Sequence, residues 1–508
     1  MIKQEIIDLI SKKTGLSEDK IRLTRTENAD FGDFTTNIAM QLKKPAQEIA
    51  DKLKSDLFER VTVAGPGFIN FFIAPVFLQK QVSEILDKKN KYGDLKVGEN
   101  KKVNVEFISA NPTGPLTLGN GRGGFCGDVL ANVLKKAGYG VIKEYYINDT
   151  GEQIKKLGHS VIGDAEAVYK GPYIEDLKKQ IKGADPEKVG EKSAAVILKT
   201  IKKSVSKGMK IKFDVWFSEK SLYKKGEVAR VLDLFKKKKL TYEQEGALWF
   251  KTTDFGDDKD RVLVKADGEE TYLSSDIAYL KDKIERGFDK IIVFLGADHY
   301  GYVSRIKAAA VALGHKKEDI DIVIMQLVRL FDGQNEVRMS KRTGIYITID
   351  ELINEVGLDA TRFFFLSRSS DSHLAFDLNL AKKQSNENPV YYVQYAHARI
   401  CSILNKAKIS KIDSSCLKLL KHPAELSLAN QLTRMPEVVE SVAGDYQVQR
   451  IPQYAMDLAT AFHQFYQECQ VITDDEKTTR ARLSLIVAAK IVLNSTLSLM
   501  GVSAPEKM

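Results

Sequence analysis

The chain has 508 residues, 43% hydrophobic and 29% charged, with a net charge of +9, enough material for about two to four domains with cores of their own. Four cysteines (Cys126, Cys401, Cys416, Cys469) stand far apart, with no Cys-x-x-Cys and no histidine at ligand spacing, which argues against a disulfide framework and a zinc site. No apolar run approaches membrane-spanning length, and the excess positive charge favours a polyanionic partner without requiring one.

The N-terminus MIKQEIIDLISKKTG sets Ile2, Ile6, Leu9 and Ile10 at helical spacing among charges, so it reads as a folded helix and not as a signal peptide; the cytoplasm is the expected location. Residues 1–90 form a small mixed domain that ends in an aromatic strand signature, GPGFINFFI (Gly65–Ile73). The polar, glycine-spaced segment Lys88–Lys102 suits a linker.

From Val103 the pattern alternates strands and helices, as parallel α/β sheets do. The strand-like run VNVEFIS (Val103–Ser109) is followed by PTGPLTLGNGRGG (112–124). Next comes FCGDVLANVLKKAGYG, in which Phe125, Val129, Val133 and Leu134 recur at helical spacing until Gly138 and Gly140 stop the pattern. Strand, glycine-rich turn and helix together aim backbone N–H groups and a helix N-terminus at an anion, usually a phosphate.

Two nucleotide sites compete for that turn. Gly119, Gly121 and Gly124 fit GxGxxG, and Glu144 stands twenty residues on, where a dinucleotide fold wants an acid for the ribose. In that fingerprint, however, the first glycine comes directly off the strand, and here a long stretch intervenes. A Walker loop would close on Gly-Lys-Ser/Thr, and none is present.

Charged helical material at about 151–250 reads as an insertion, and the strand-like runs Arg261–Asp267 and Lys290–His299 are expected to complete the sheet. A short basic loop, EVRMSKRTG (336–344), follows. From residue 371 to 508 the periodicity is helical, with breaks near Pro389, Pro423, Pro436 and Pro452, which gives an all-α terminal domain; the catalytic part is expected to occupy 91–370.

The joint occurrence of ANPTGPLTLGN and RMSKR, in this order, resembles the paired HIGH and KMSKS signatures of class I aminoacyl-tRNA synthetases. FISANPTGPLTLGNGRG, EYYINDTGEQI, FDVWFSEKSLY, TYLSSDIAYLKDKIERGFDKIIVFLGADHYGY and the terminal GVSAPEKM narrow the likeness to the bacterial type of arginyl-tRNA synthetase, over essentially the whole chain. The resemblance implies a Rossmann-like α/β catalytic domain with a helical insertion, a small α+β N-terminal domain and an all-α anticodon-binding domain. It implies ATP with Mg²⁺, L-arginine and tRNA(Arg) as reactants, and a monomer.

For the site, the resemblance places Lys341 on the β/γ-phosphates, with Met339, Ser340, Arg342 and Arg338 beside it. Pro112, Gly114, Gly119 and Gly121 would lie along ATP. Thr117 and Asn120 replace the two signature histidines; each can donate one hydrogen bond to a phosphate oxygen, but neither can become cationic. A guanidinium asks for carboxylates, and the resemblance gives Asp276, Tyr272 and Glu219 to the arginine side chain. Glu106, Ser109 and Asn111 fall to its amino end. Asp298, His299 and Gln326 fall to the adenosine side, Tyr391, Tyr395 and Met508 to the anticodon, and Phe31 and Asn37 to the outer corner of the tRNA. Charge does not mark the terminal domain as RNA-binding, since residues 375–508 hold fifteen Lys and Arg against thirteen Asp and Glu. A third reading, of another class, is an RNA-binding relative that lost activation along with its signature histidines.

Overall fold

The computed structural model describes the whole chain except residues 27, 338–346 and 408–413. Ile2, Ile6 and Ile10 are the buried face of the first helix, Ile2–Thr14. A four-stranded antiparallel sheet follows, with the aromatic signature in its inner strand, Phe68–Ile73. This unit docks on the C-terminal helices: Arg25 forks onto both oxygens of Glu437 at 2.8 and 2.9 Å, and Asn430 donates to Asp33 at 2.6 Å.

The catalytic part is built on five strands: β1 (Lys102–Glu106), β2 (Gly140–Ile147), β3 (Val215–Ser218), β4 (Lys290–Gly296) and β5 (Ile320–Met325). All pairs are parallel and the order is β5-β4-β1-β2-β3. Apolar runs such as IIVFL in β4 are what a strand covered on both faces requires. The chain builds outward from β1 to β3 and then returns to add β4 on the other side of β1. The carboxyl ends therefore part beside β1, where open α/β sheets leave a crevice for ligands.

Three sequence expectations are corrected. The strand Arg261–Val264 does not join the main sheet; it pairs antiparallel with Ala247–Phe250 in a separate three-stranded sheet, and β5 takes the edge place instead. The expected insertion is interrupted, because β3 returns to the main sheet at Val215–Ser218 in its middle. The glycine-rich stretch is largely helical: α1 runs Leu118–Lys136 and contains Gly119, Gly121, Gly123 and Gly124.

Within the insertion, α2 (Pro186–Lys203) packs on the helix Glu152–Ile162. Gly190 and Gly158 let the two approach, since a Cβ on Gly190 would meet the carbonyl of Ile154. Helix α3 (Tyr272–Glu285) precedes β4, and α4 (Ile349–Val356) and α5 (Leu358–Leu366) come after the basic loop. The short strand Leu374–Asp377 pairs with Val328–Asp332, so sheet structure continues past the break expected at residue 370.

The terminal domain is helical. Pro389 and Pro423 open their helices and Pro436 and Pro452 lie in first turns, where a missing N–H costs nothing. Its helices include α6 (Pro389–Ala407) and α7 (Glu476–Met500). Contrary to the sequence expectation, α7 is long and apolar enough to cross a membrane, but two-thirds of that stretch is buried inside the fold, as in the core helix of a bundle.

Candidate active site

At the front of the crevice, Thr117 is the N-cap of α1 and Asn120 its third residue. The Asn120 Oδ1 accepts from the Thr117 backbone N–H at 3.0 Å and from its hydroxyl at 2.9 Å. A backbone N–H can only donate, which fixes the oxygen end of the Asn120 amide and turns its Nδ2 outward. The two signature positions thus form a capping box. The Thr117 hydroxyl proton is committed to Asn120, and the donors left for an anion are the Asn120 amide and the first-turn N–H groups beside exposed Gly119. Gly121 is placed otherwise than expected: it is buried, and a Cβ there would stand 2.5 Å from Ile349 Cδ1, so its lack of a side chain serves packing. Pro112 is also buried, and Gly114 lies against the Tyr173 ring of the insertion.

That Ile349 belongs to the segment just after the basic loop. Its N–H donates to the carbonyl of Leu116 at 3.0 Å, and Thr348 bridges antiparallel to Thr117. The exit of the loop is therefore fastened to the signature turn. Arg338, Met339, Ser340, Lys341 and Arg342 themselves lie outside the described residues.

The second half of the site is acidic. Glu106 ends β1, Glu219 follows β3 as the first residue of a short helix, and Asp276 stands one turn into α3, on the same side as Tyr272 at its start. Tyr302 donates to Asp276, Lys283 binds Glu106, and Asn148, with its amide turned to satisfy both ends, donates to Glu219 at 2.8 Å. Burial, and then the Glu219 and Glu106 carboxylates, hold the Asp276 pKa well above the ordinary carboxylate value. Burial also raises Glu219, with Asp149 adding to it. The phenols of Tyr146 and Tyr223 feel the same field: burial first, then Glu219 and other carboxylates including Asp276, push both up, Tyr223 to about 12. Such a pocket holds more negative charge than its residents neutralise, and it suits an incoming cation with several donors.

Between the two halves the backbone leaves β1 with Ile108 and Ser109 at φ 67° and 38°. Ser109 donates to Glu106 at 3.0 Å and accepts from the Tyr146 N–H at 3.1 Å, while Asn111 donates to Gln153. At the ends of β4 and β5, Asp298 and His299 are exposed, and the Gln326 main-chain carbonyl accepts from buried Arg122 at 2.9 Å. Sequence reasoning missed Tyr146, Tyr302, Gln153 and Lys283. Lys283 had a readable signal, seven residues after Asp276 and so two turns along the same helix face.

The dinucleotide alternative finds no support. Its glycines are helical, and Glu144 is fully buried among Arg286 at 2.7 and 2.8 Å, Tyr279 at 2.6 Å and Asn104 at 2.8 Å. It closes the sheet core instead of reaching a ribose.

Farther out, the rings of Tyr391 and Tyr395 stack at 6.3 Å with 8° between planes. Tyr391 and exposed Met508 line a cleft of about 720 Å³, with Lys210, Lys382, Lys383 and Gln394 on its walls. Phe31 is half exposed, and Asn37 accepts from Gln41 at 3.0 Å.

Comparison with known proteins finds likenesses along the whole chain. The family profile described as tRNA synthetases class I (R), catalytic domain, matches residues 81–179 and 164–372. The arginyl tRNA synthetase N terminal domain matches 1–73, and the DALR anticodon binding domain matches 393–508. An arginine–tRNA ligase of Halalkalibacterium halodurans is 44% identical, covering 100% of this chain and 98% of that protein. One from Caldanaerobacter subterraneus is 45% identical, covering 100% and 99%. Among solved structures, a putative arginyl-tRNA synthetase of Campylobacter jejuni superposes with a TM-score of 0.78 at 33% identity, over 86% of this chain and all of that one. The fold is also that of the Thermus thermophilus arginyl-tRNA synthetase, with a TM-score of 0.81 at 22% identity over 100% and 99% of the two chains.

Proposed function

Since the chain belongs to the class I arginyl-tRNA synthetase family and carries out ATP-dependent arginylation of tRNA(Arg) through an arginyl-adenylate, we propose how the residues of its crevice divide that work. The arginine guanidinium enters the acidic pocket and is gripped by Asp276 and Glu219, with Tyr272 along its stem. Glu106, Ser109 and Asn111 hold the α-amino end, so that the substrate carboxylate faces the signature turn. The adenosine of ATP lies over the ends of β4 and β5, near Asp298, His299 and Gln326. Its phosphates reach the N-terminus of α1 at Gly119 and the Asn120 amide.

No side-chain nucleophile is needed. A carboxylate oxygen of arginine attacks the α-phosphorus, the bond to the β-phosphate oxygen breaks, and pyrophosphate leaves. A ribose hydroxyl of the terminal adenosine of the tRNA then attacks the arginyl carbonyl, and AMP departs. Catalysis is alignment plus charge stabilisation. Lys341, helped by Arg338, Met339, Ser340 and Arg342, supplies the cation at the leaving pyrophosphate. The fastening of Thr348 and Ile349 to Leu116 and Thr117 supports that role, because it keeps the root of the loop beside the phosphates.

Among the described residues no group of three or more His, Cys, Asp or Glu could hold a metal. At the phosphate end this chain offers the Asn120 amide and first-turn N–H groups, and Mg²⁺ would accompany ATP and would supply charge neutralisation there. Tyr391, Tyr395 and Met508 meet anticodon bases by stacking and packing, and Phe31 and Asn37 meet the outer corner of the tRNA. The enzyme acts as a cytoplasmic monomer.

The observation that carries this reading is the under-neutralised carboxylate cluster that α3 and the ends of β1 and β3 bring together, with Asp276 raised by burial and then by its acidic neighbours. The test is charging of tRNA(Arg) with labelled arginine by the purified protein, with lysine and citrulline as competitors. Arginine-specific charging upholds the reading. Binding of tRNA with no charging would instead establish a relative that lost activation.

A further inference from the structure

Arg122 is the fifth residue of α1 and is fully buried. Its two terminal nitrogens both point at main chain: one donates to the Gln326 carbonyl at 2.9 Å and the other to the Ser369 carbonyl at 2.8 Å. Its Nε has no partner among the described residues. A buried charge is costly, and the usual compensation is a carboxylate. Here the donors go to carbonyls instead, so what the group does is hold backbone.

The backbone it holds closes a ring. Ser369 and Ser372 frame a turn after α5, with the Ser372 N–H on the Ser369 carbonyl at 3.1 Å and the exposed Asp371 accepting from both hydroxyls. The next carbonyl, that of Ser370, accepts from the Gln326 N–H at 2.9 Å. Both main-chain groups of Gln326 are therefore committed, the N–H to the turn and the carbonyl to Arg122, and the turn is itself fastened to Arg122.

This ring lies between the two halves of the ATP seat. Gly296 and Met325 are the last paired residues of β4 and β5, so Asp298 and His299 after one strand and Gln326 after the other leave the sheet side by side. On α1, Asn120 stands two residues before Arg122, about 3 Å along the axis and more than half a turn round. One rigid piece of helix thus presents phosphate donors on one side and anchors the end of β5 from the other. A ligand whose two ends are received at a preset separation binds without the cost of ordering the site.

We propose that Arg122 is a positioning residue for the adenosine half of ATP: it holds the backbone at the end of β5 at a fixed place relative to the helix turn that receives the phosphates. The proposal rests on adenosine lying over the ends of β4 and β5.

The test is charging of tRNA(Arg) at saturating arginine and tRNA with ATP varied, in the presence of adenosine or inorganic tripolyphosphate, competitors that each fill one half of the seat. Wild type is compared with Arg122→Lys and Arg122→Gln, which replace the planar fork by a single nitrogen with and without its charge. Both variants are expected to raise KM for ATP and the inhibition constant of adenosine about tenfold, the worth of roughly one hydrogen bond. The inhibition constant of tripolyphosphate and KM for arginine stay at wild-type values. Asp371→Ala loosens the turn from the surface and should also raise the constant of adenosine, which, being uncharged, does not register the lost charge; where the buried substitutions fail to fold, it decides alone. A lowered melting temperature and kcat with both inhibition constants unchanged would show a structural role and overturn the proposal. So would a rise in both constants together, or an effect confined to Arg122→Gln, which traces to charge. His299→Ala tests the seat itself. If it alone raises the adenosine constant, the positioning role falls and the seat stands; if none of these variants moves it, the placement of adenosine falls and the proposal with it.

Discussion

Asp276 carries two opposed predictions. Its folded pKa is raised above the unfolded value, so in the empty protein the native state binds the proton more tightly. Stability from this group falls as pH rises from the ordinary carboxylate value, about 3.9, up through the raised one. Asp276→Asn removes that slope, and its melting temperature at neutral pH should exceed that of wild type in a pH series of thermal melts. Arginine binding favours the ionised form, so arginine should bind more tightly as pH rises toward the raised pKa and should expel protons, read as buffer-dependent heats in titration calorimetry. The same Asp276→Asn change should lower kcat/KM for arginine on the order of 10²–10³-fold, the cost of unpairing a buried charge. Asn120 makes a sharper case. Asn120→Asp keeps the oxygen that caps α1 through Thr117 and exchanges the outward Nδ2 donor for an acceptor. Melting should change little, while arginine-dependent pyrophosphate exchange should fall roughly 10²–10³-fold, as when one transition-state donor is lost. If exchange is unaffected and melting drops, the amide is a structural cap and no more.

At the scale of elements, α1 explains what its glycines do. Gly121 admits Ile349, Gly124 admits Met209 and Ile108, and Gly127 admits the Phe107 ring. The helix is thus seated against β1, the insertion and the root of the basic loop at once. Gly121→Ala should disturb the loop root and slow pyrophosphate exchange while costing about 1–3 kcal/mol of stability, the usual penalty for overpacking. Ile349→Ala in the same chain should restore both in part, as a double-mutant cycle would register. The sequence pointed to a phosphate turn here because glycine next to a strand commonly marks one; the same composition also permits close helix packing, and local pattern cannot separate the two. Periodicity located β1, β4, the N-terminal helix and the helical terminal domain. It failed at Arg261–Val264, because a strand run does not say which sheet it joins. The acid cluster was legible through family resemblance alone: the ends of β1 and β3 bring Glu106 and Glu219 to the first turns of α3, which carry Asp276, and no spacing announces that.

Over the whole molecule, one guanidinium joins the parts. Arg362 of α5 is fully buried and donates to Asp128 of α1 at 2.8 Å, to the carbonyl of Met500 at the end of α7 at 2.9 Å, and to Met209 after α2 at 2.8 Å. Gly501, at φ 66°, gives it room, since any Cβ there would collide with the guanidinium. Asn132 of α1 adds a bond to the Leu499 carbonyl at 3.1 Å. The helix that presents the signature turn is therefore tied to the end of the helix at the centre of the terminal domain. A methionine in place of Arg362 would leave those carbonyls unpaired and Asp128 with Lys143 at 2.6 Å as its remaining charge partner. Breaking so buried a group costs about 3–5 kcal/mol, and that loss falls mainly inside the catalytic part, where Asp128, Met209 and Lys210 lie, with the Met500 carbonyl as the one partner across the domain boundary. Calorimetry of Arg362→Met should accordingly show the melting of the catalytic part moved to lower temperature, ahead of that of the helical domain. Transitions that stay together at a lowered temperature would mean that the rest of the interface couples the domains and that the bond to the Met500 carbonyl is not what joins them.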